Sequence, residues 1–582
     1  MRVRRPVTLV ALTAFLASAG PSQPPSPPSG RIAPPRPDSP VRCRLGEGDR
    51  PRPMLRVGAL RGSAPAPVAP TSPPLPPPPA PLVAHRAPAQ QIVSTAQRAG
   101  DSAGTVMRKM ATPYGSPQNT DRYDGKAVAS IQSTAQTPVS TFSVDVDTGS
   151  YANVRRILTQ GSPVPPEAVR TEEMINYFRY DYPRPTDRTV PFSITTDVAR
   201  APWNADTRLL RIGLRGYDID TATRPPANLV FLVDTSGSMQ DADKLPLLKS
   251  ALKGLAGNLR PDDRVSIVAY AGSAGVVLDS TADKGSVIAA LDCLEAGGST
   301  AGGAGITLAY DIARAQFRKG GVNRIFLATD GDFNVGLSDN KALEEMVKRN
   351  RDDGITLTTL GFGQGNYNEA MMERIADVGN GNYAYIDSAL EARKVLDDEL
   401  SATLVTIAKD VKVQVELNPA AIREYRLVGY ENRALAEEDF TNDAVDAGDM
   451  GAGHQVTALY EVVPAGAKGW TPDRRYTANR PAPGKPGPAG EAAYVKLRFK
   501  LPDGKTSHEI SRPVPVAALT SATAPRGDMA FATAVAAFGQ KLRGDTYLGN
   551  YGFADIRSLA GEARGYSREE FVKLVQLAGT PG

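Results

Sequence analysis

Residues 228–239 read NLVFLVDTSGSM. Apolar side chains run unbroken from Leu229 to Val233 and stop at Asp234. An apolar run of this length that ends in an acid fits a strand buried on both faces of a parallel sheet. Ser236 and Ser238 follow at alternate positions, and Gly237 between them allows a tight turn. Capping the next helix would occupy one serine. Three oxygen-bearing side chains at a strand's carboxyl end therefore point to binding.

The rhythm continues outward from this stretch. DKLPLLKSALKGLAGNL (243–259) sets Leu248, Leu252, Leu255 and Leu259 at helical spacing. RVSIVAYA, GVVLDS, RIFLATD, ITLTTLGFG and YAYI read as further strands, and GSVIAALDCLEA, GITLAYDIARAQF, NKALEEMVKRNRDD and residues 368–378 as helices between them. Residues 226–400 are thus expected to form an α/β domain, a doubly wound, mostly parallel sheet with helices on both faces and binding loops at the carboxyl ends of its strands.

Two more loops at that edge carry matching chemistry. GGST places Thr300 in a glycine-flanked loop, and FLATDGDFNVG ends a strand on Asp330. Hard oxygen ligands suit Mg²⁺, with Mn²⁺ or Ca²⁺ as alternatives. Without a cation, Asp234 and Asp330 should repel each other, so removing Asp330 is expected to ease the metal-free protein.

The set Asp234, Ser236, Ser238, Thr300 and Asp330 resembles the metal-ion-dependent adhesion site of von Willebrand factor type A domains: D-x-S-x-S, then a distant Thr, then a distant Asp. The resemblance implies that both serines ligate the metal directly, the threonine directly or through water, and the aspartates largely through water. It also implies that a protein partner supplies a carboxylate to the open coordination position. No motif identifies that partner or the oligomeric state. FSVDVDTGSYANVRRIL, VRTEEMINYFRYDYP and the C-terminal region further resemble a family of exported bacterial proteins with such a domain and these flanks.

An α+β flank is expected over 136–225. TFSVDV and VPFSITTDVA to RLLRIGLRG are its strands, SYANVRRIL is one helix, and PEAVRTEEMINYFRY is a second with Pro166 in its first turn. A β-rich domain with terminal helices is expected over 401–582, where VKVQVELN, HQVTALYEVVP and YVKLRFKL alternate with period two. MAFATAVAAFGQKL puts Phe531, Val535, Phe538 and Leu542 on one stripe.

Residues 1–19 read as a signal peptide: Arg2, Arg4 and Arg5, an apolar run too short to span a bilayer, then Ala17-Ser18-Ala19. A buried N-terminal helix is the blander reading. No cysteine follows the small residues, so a periplasmic or secreted protein without a lipid anchor is expected, and no transmembrane helix is expected in the mature chain. Residues 20–135 read as a Pro-rich disordered linker.

Composition excludes other classes. A net charge of +4 over 67 basic and 63 acidic residues gives no electrostatic basis for nucleic-acid binding. His85, His454 and His508 lie far apart, which disfavours a zinc or histidine-triad hydrolase, and each is expected in a loop or at the surface. Cys43 and Cys293 are the only cysteines; Cys293 is expected as a small core residue rather than a disulfide partner. Asp147-Thr148-Gly149-Ser150 copies an aspartic-protease signature, but no second copy exists to form the dyad. In DVD, Gly149 stands where a dehalogenase-type phosphatase carries Thr or Val. Asp147 is expected to cap the following helix. The chain reads as a non-enzymatic, metal-dependent interaction or adhesion module. The alternatives are an exported enzyme and a structural envelope protein with a vestigial metal site.

Overall fold

The computed structural model describes residues 41–42, 121–144, 146–185, 189–300, 302–331, 340–365, 367–399, 404–472, 490–561 and 564–580. The expected signal peptide, residues 20–40 and 43–120 of the expected linker and the loop after Gly331 lie outside them, as does most of NRPAPGKPGPAGE.

The central domain is built on a six-stranded sheet in the order Tyr383–Ile386, Thr356–Phe362, Val322–Thr329, Ala227–Asp234, Arg264–Tyr270, Ala274–Thr281. All neighbours are parallel except the last pair. Alternation along Ala227–Asp234 explains why both faces need cover. Leu229, Phe231 and Val233 pack under helix Leu245–Gly257 through Leu248, Leu252 and Leu255. Val230 and Leu232 pack under helix Gly302–Ala315 through Ile306, Ala309 and Tyr310. This is the expected doubly wound α/β fold.

The flanking segments share two antiparallel sheets. In one, Arg208–Gly216 lies between Phe192–Arg200 and Gln455–Pro464, with Ile422–Val428 beyond. In the other, Val139–Ser143 lies between Ala434–Leu435 and Thr406–Leu417, followed by Glu491–Lys500 and Ser507–Pro515. Leu210, Ile212, Leu214 and Tyr460 meet Phe142, Val413, Val495 and Leu497 between the sheets. Segments 136–225 and 401–582, read from sequence as separate, therefore interleave into one sandwich, and the α/β domain is inserted between its strands.

Several local expectations are corrected. Residues 121–135, assigned to the linker, are packed: both Gly365 N–H and Tyr367 N–H donate to Asp121 Oδ1 at 3.0 Å, and Gln132–Ser133 pairs with Ile422–Val428. PEAVRTEEMINYFRY is a 3-10 turn (Pro166–Ala168) and a short helix (Thr171–Asn176). Arg170 between them is extended because its N–H donates to Ser150 Oγ at 2.9 Å while its buried guanidinium pairs with Glu373 at 2.6 Å. Asp147 does not cap helix Gly149–Thr159: its Oδ1 accepts from Tyr383 N–H at 2.8 Å and its Oδ2 from Arg433 at 3.2 Å. The N–H of Ser150 turns instead to Glu173 at 2.8 Å. His454 stands in the loop before strand Gln455–Pro464, one of the two expected placements, but it is buried there; its Nδ1 accepts from Gly451 N–H at 3.3 Å, and burial pushes its pKa down to about 3. Cys293 is disulfide-bonded; Cys43, the only other cysteine, lies outside the described residues. The neighbouring Arg42 N–H donates to Val277 O at 2.8 Å. The Gly527–Leu542 helix is buried from Met529 to Gln540 on every side, because its alanines also pack.

Candidate metal centre

Strand register brings the first group together. Asp234 ends its strand opposite Tyr270, and Thr329 ends the strand on its other side. Asp234 is fully buried. Its Oδ1 accepts from Ser236 N–H at 2.8 Å, and its Oδ2 accepts from Thr329 Oγ1 at 2.9 Å and Tyr270 Oη at 3.1 Å. Burial raises its pKa above the usual carboxylate range; the Ser236 and Thr329 hydrogen bonds oppose this, and the nearby Asp330 charge adds to it. Three of the roughly four lone-pair sites of Asp234 are used, which leaves room for one more contact.

The turn after Asp234 presents hydroxyls. Ser236 Oγ and Ser238 Oγ stand 3.0 Å apart, with Ser238 exposed. At that separation the two hydroxyls hydrogen-bond to each other, and either can be the donor. The loop carrying Thr300 is tied to this turn by two backbone hydrogen bonds: Gly237 N–H to Gly298 O at 3.0 Å and Gly297 N–H to Thr235 O at 2.8 Å. Thr300 itself is half-buried two residues beyond Gly298.

Asp330 follows strand Val322–Thr329 and is fully buried. Its Oδ2 accepts from Lys244 Nζ at 3.0 Å. Its Oδ1 is buried without a hydrogen-bond partner among the described residues. Lys244 reaches it past Gly363, whose φ is 67°; a Cβ there would strike the lysine stem. The expected repulsion between the two aspartates is thus countered by a buried ammonium group. All five residues expected at the site occupy one sheet edge. Lys244, Tyr270 and Thr329 were not expected; aligning the strands at their carboxyl ends would have exposed Tyr270 and Thr329.

The central fold agrees with comparisons to known proteins. The von Willebrand factor type A domain family matches residues 228–418, a family described as von Willebrand factor matches residues 117–211, and the C-terminal family of uncharacterized protein YfbK matches residues 402–580. Uncharacterized protein YfbK of Escherichia coli K12 is 48% identical over 480 residues, covering 80% of this chain and 82% of that protein. The chain belongs to the YfbK family. Among solved structures, a von Willebrand factor type A protein from Catenulispora acidiphila is 17% identical over 69% of this chain and 91% of its own, with a TM-score of 0.37. Proximal thread matrix protein 1 from the mussel byssus, solved with a zinc-occupied MIDAS motif, is 21% identical over 33% of this chain and 47% of its own, with a TM-score of 0.26.

The flanks of this YfbK-family chain brace the same edge of the sheet. Arg155, on helix Gly149–Thr159, donates to Asp387 just past strand Tyr383–Ile386 at 2.7 Å, to Glu391 at 2.7 Å and to Glu570 of the C-terminal helix at 2.8 Å. Arg156 donates to Gln364 at 2.9 Å. Among the described residues no helix is long and apolar enough to cross a membrane.

Proposed function

We propose that the inserted domain is a non-catalytic, metal-dependent protein-binding module that acts outside the cytoplasm. Asp234, Ser236, Ser238, Thr300 and Asp330 would hold the ion, Mg²⁺ by preference. When bound, the cation supplies an open position for a carboxylate from a partner protein. The carrying observation is the Oδ1 of Asp330, buried without a hydrogen-bond partner among the described residues, because a buried carboxylate oxygen left without a donor costs free energy that a cation would recover. Tyr270 and Thr329 hold Asp234 in one orientation, so the site is organised before the ion arrives.

The protease reading loses its residue: the Asp147 carboxylate is committed to Tyr383 and Arg433 as a bridge between domain and sandwich. A disulfide at Cys293 supports an oxidising compartment, in line with the expected signal peptide. Partner capture from envelope extract tests the function. Wild type should retain a protein in Mg²⁺ and release it in EDTA, and Asp330→Asn should retain none. Equal capture in EDTA would refute metal dependence.

A further inference from the structure

A cavity of about 440 Å³ opens where the central domain, the N-terminal flank and the last helix meet. It is lined by six cationic side chains, Arg155, Arg179, Arg393, Lys394, Arg564 and Arg568, and by one carboxylate, Glu391. Asp387, Glu570 and Asp528 stand behind the wall: the first two bind Arg155, and Asp528 binds Arg568 at 2.8 Å. The inner cations are fixed. Arg568 lies over the Phe531 ring at 4.4 Å, and Lys394 Nζ lies 3.7 Å from the Tyr177 ring centre. Arg179, Arg393 and Arg564 are exposed at the mouth.

The cavity also displays apolar surface. Leu390 is 55% exposed and Tyr566 is 62% exposed, and they are two of the five large apolar side chains exposed among the described residues. Clustering of such side chains in one basic cleft is the usual composition of a recognition surface, with apolar anchors inside a charged rim. Each is presented from the first turn of a helix, Leu390 from Ala389–Arg393 and Tyr566 from Tyr566–Ala578.

We infer that this cavity binds an acidic peptide segment of a partner protein, with carboxylates meeting Arg179 and Arg564 and an apolar side chain seated between Leu390 and Tyr566. The cationic lining selects an anionic segment, and the apolar pair selects a side chain that a bare phosphate lacks. None of these residues belongs to the metal centre, so the binding is independent of the cation.

A fluorescein-labelled peptide of glutamates around one leucine, titrated into the full chain in EDTA, tests this by anisotropy. Binding should weaken as salt rises. It should weaken about tenfold in the double variant Arg179→Glu, Arg564→Glu, whose thermal unfolding should match wild type because both side chains are exposed. Ser238→Ala should bind it as wild type does. Replacing the leucine by glycine should also weaken binding. Absence of binding, or equal binding by the charge-reversed variant, would overturn the proposal. So would competition by inorganic phosphate, or binding to phosphatidylglycerol vesicles in place of the peptide; either would assign the cavity to a phosphate group.

Discussion

At the scale of single residues, the Lys244–Asp330 pair decides how the metal-free protein behaves. Both partners are buried and 3.0 Å apart. Breaking a buried pair by deleting one member leaves a charge without compensation and costs about 3 kcal/mol or more. Asp330→Ala should therefore lower the unfolding free energy in EDTA, measured with urea, by that amount, contrary to the relief of repulsion that the sequence suggests. Ser238→Ala, at an exposed position, should change the same stability by less than about 0.5 kcal/mol. An Asp330→Ala variant as stable as wild type in EDTA would show that Lys244 is not held by this carboxylate. The acids and hydroxyls of the site were legible because their spacing is local to loops at strand ends. Lys244 was not, because a lysine just ahead of a helix reads as solvated, and only the passage beside Gly363 turns it inward.

Helix Gly149–Thr159 and helix Glu369–Val378 carry the junction between domain and sandwich at the scale of elements. Gly149 touches the Tyr383 ring so closely that a Cβ would collide with it. Gly149→Ala, which would ordinarily favour a helix, should here destabilise by about 1–3 kcal/mol through overpacking, as read from urea unfolding. Glu369 is fully buried at the start of its helix, and burial pushes its pKa from 4.5 to about 8. Arg170, whose Nη2 is 3.8 Å away, opposes that shift, while Glu373, Asp121 and Glu172 reinforce it. The folded state thus binds a proton that the unfolded chain has lost. The resulting stability is complete below the unfolded value of 4.5 and disappears as pH rises through about 8. Across that window, wild type should lose stability with rising pH more steeply than Glu369→Gln; parallel curves for the two would show that Glu369 is not the group responsible. The sequence marked both helices by apolar period, but the acids among them look like ordinary solvated positions. Only the docking of one helix group on another buries them.

For the molecule as a whole, the insertion of the α/β domain between strands of one sandwich governs which pieces can fold. Arg208–Gly216 and Val139–Ser143 are interior strands bonded on both sides, partly by strands beyond residue 404. A chain starting at residue 226 loses both and should remain unfolded in its C-terminal half, as judged by amide exchange. Limited proteolysis of the full chain should stop near residue 121 rather than 135, because Asp121 is anchored to residues 365 and 367. Each of these strands was visible as an alternation of period two. Alternation assigns faces but not partners, so nothing local announced that Gln455 would pair with Arg215, or Gln132 with Tyr425, far apart in the chain. The central domain was legible in outline because four of its five parallel strands are followed by a helix, Arg264–Tyr270 alone turning straight into the antiparallel strand Ala274–Thr281. Calorimetric titration of Mg²⁺ into EDTA-stripped full-length protein tests the metal centre most directly. The expected result is one ion bound per chain in wild type and none in the double variant Ser236→Ala, Ser238→Ala. Absence of a binding isotherm in wild type, or an unchanged isotherm in the double variant, would contradict the assignment.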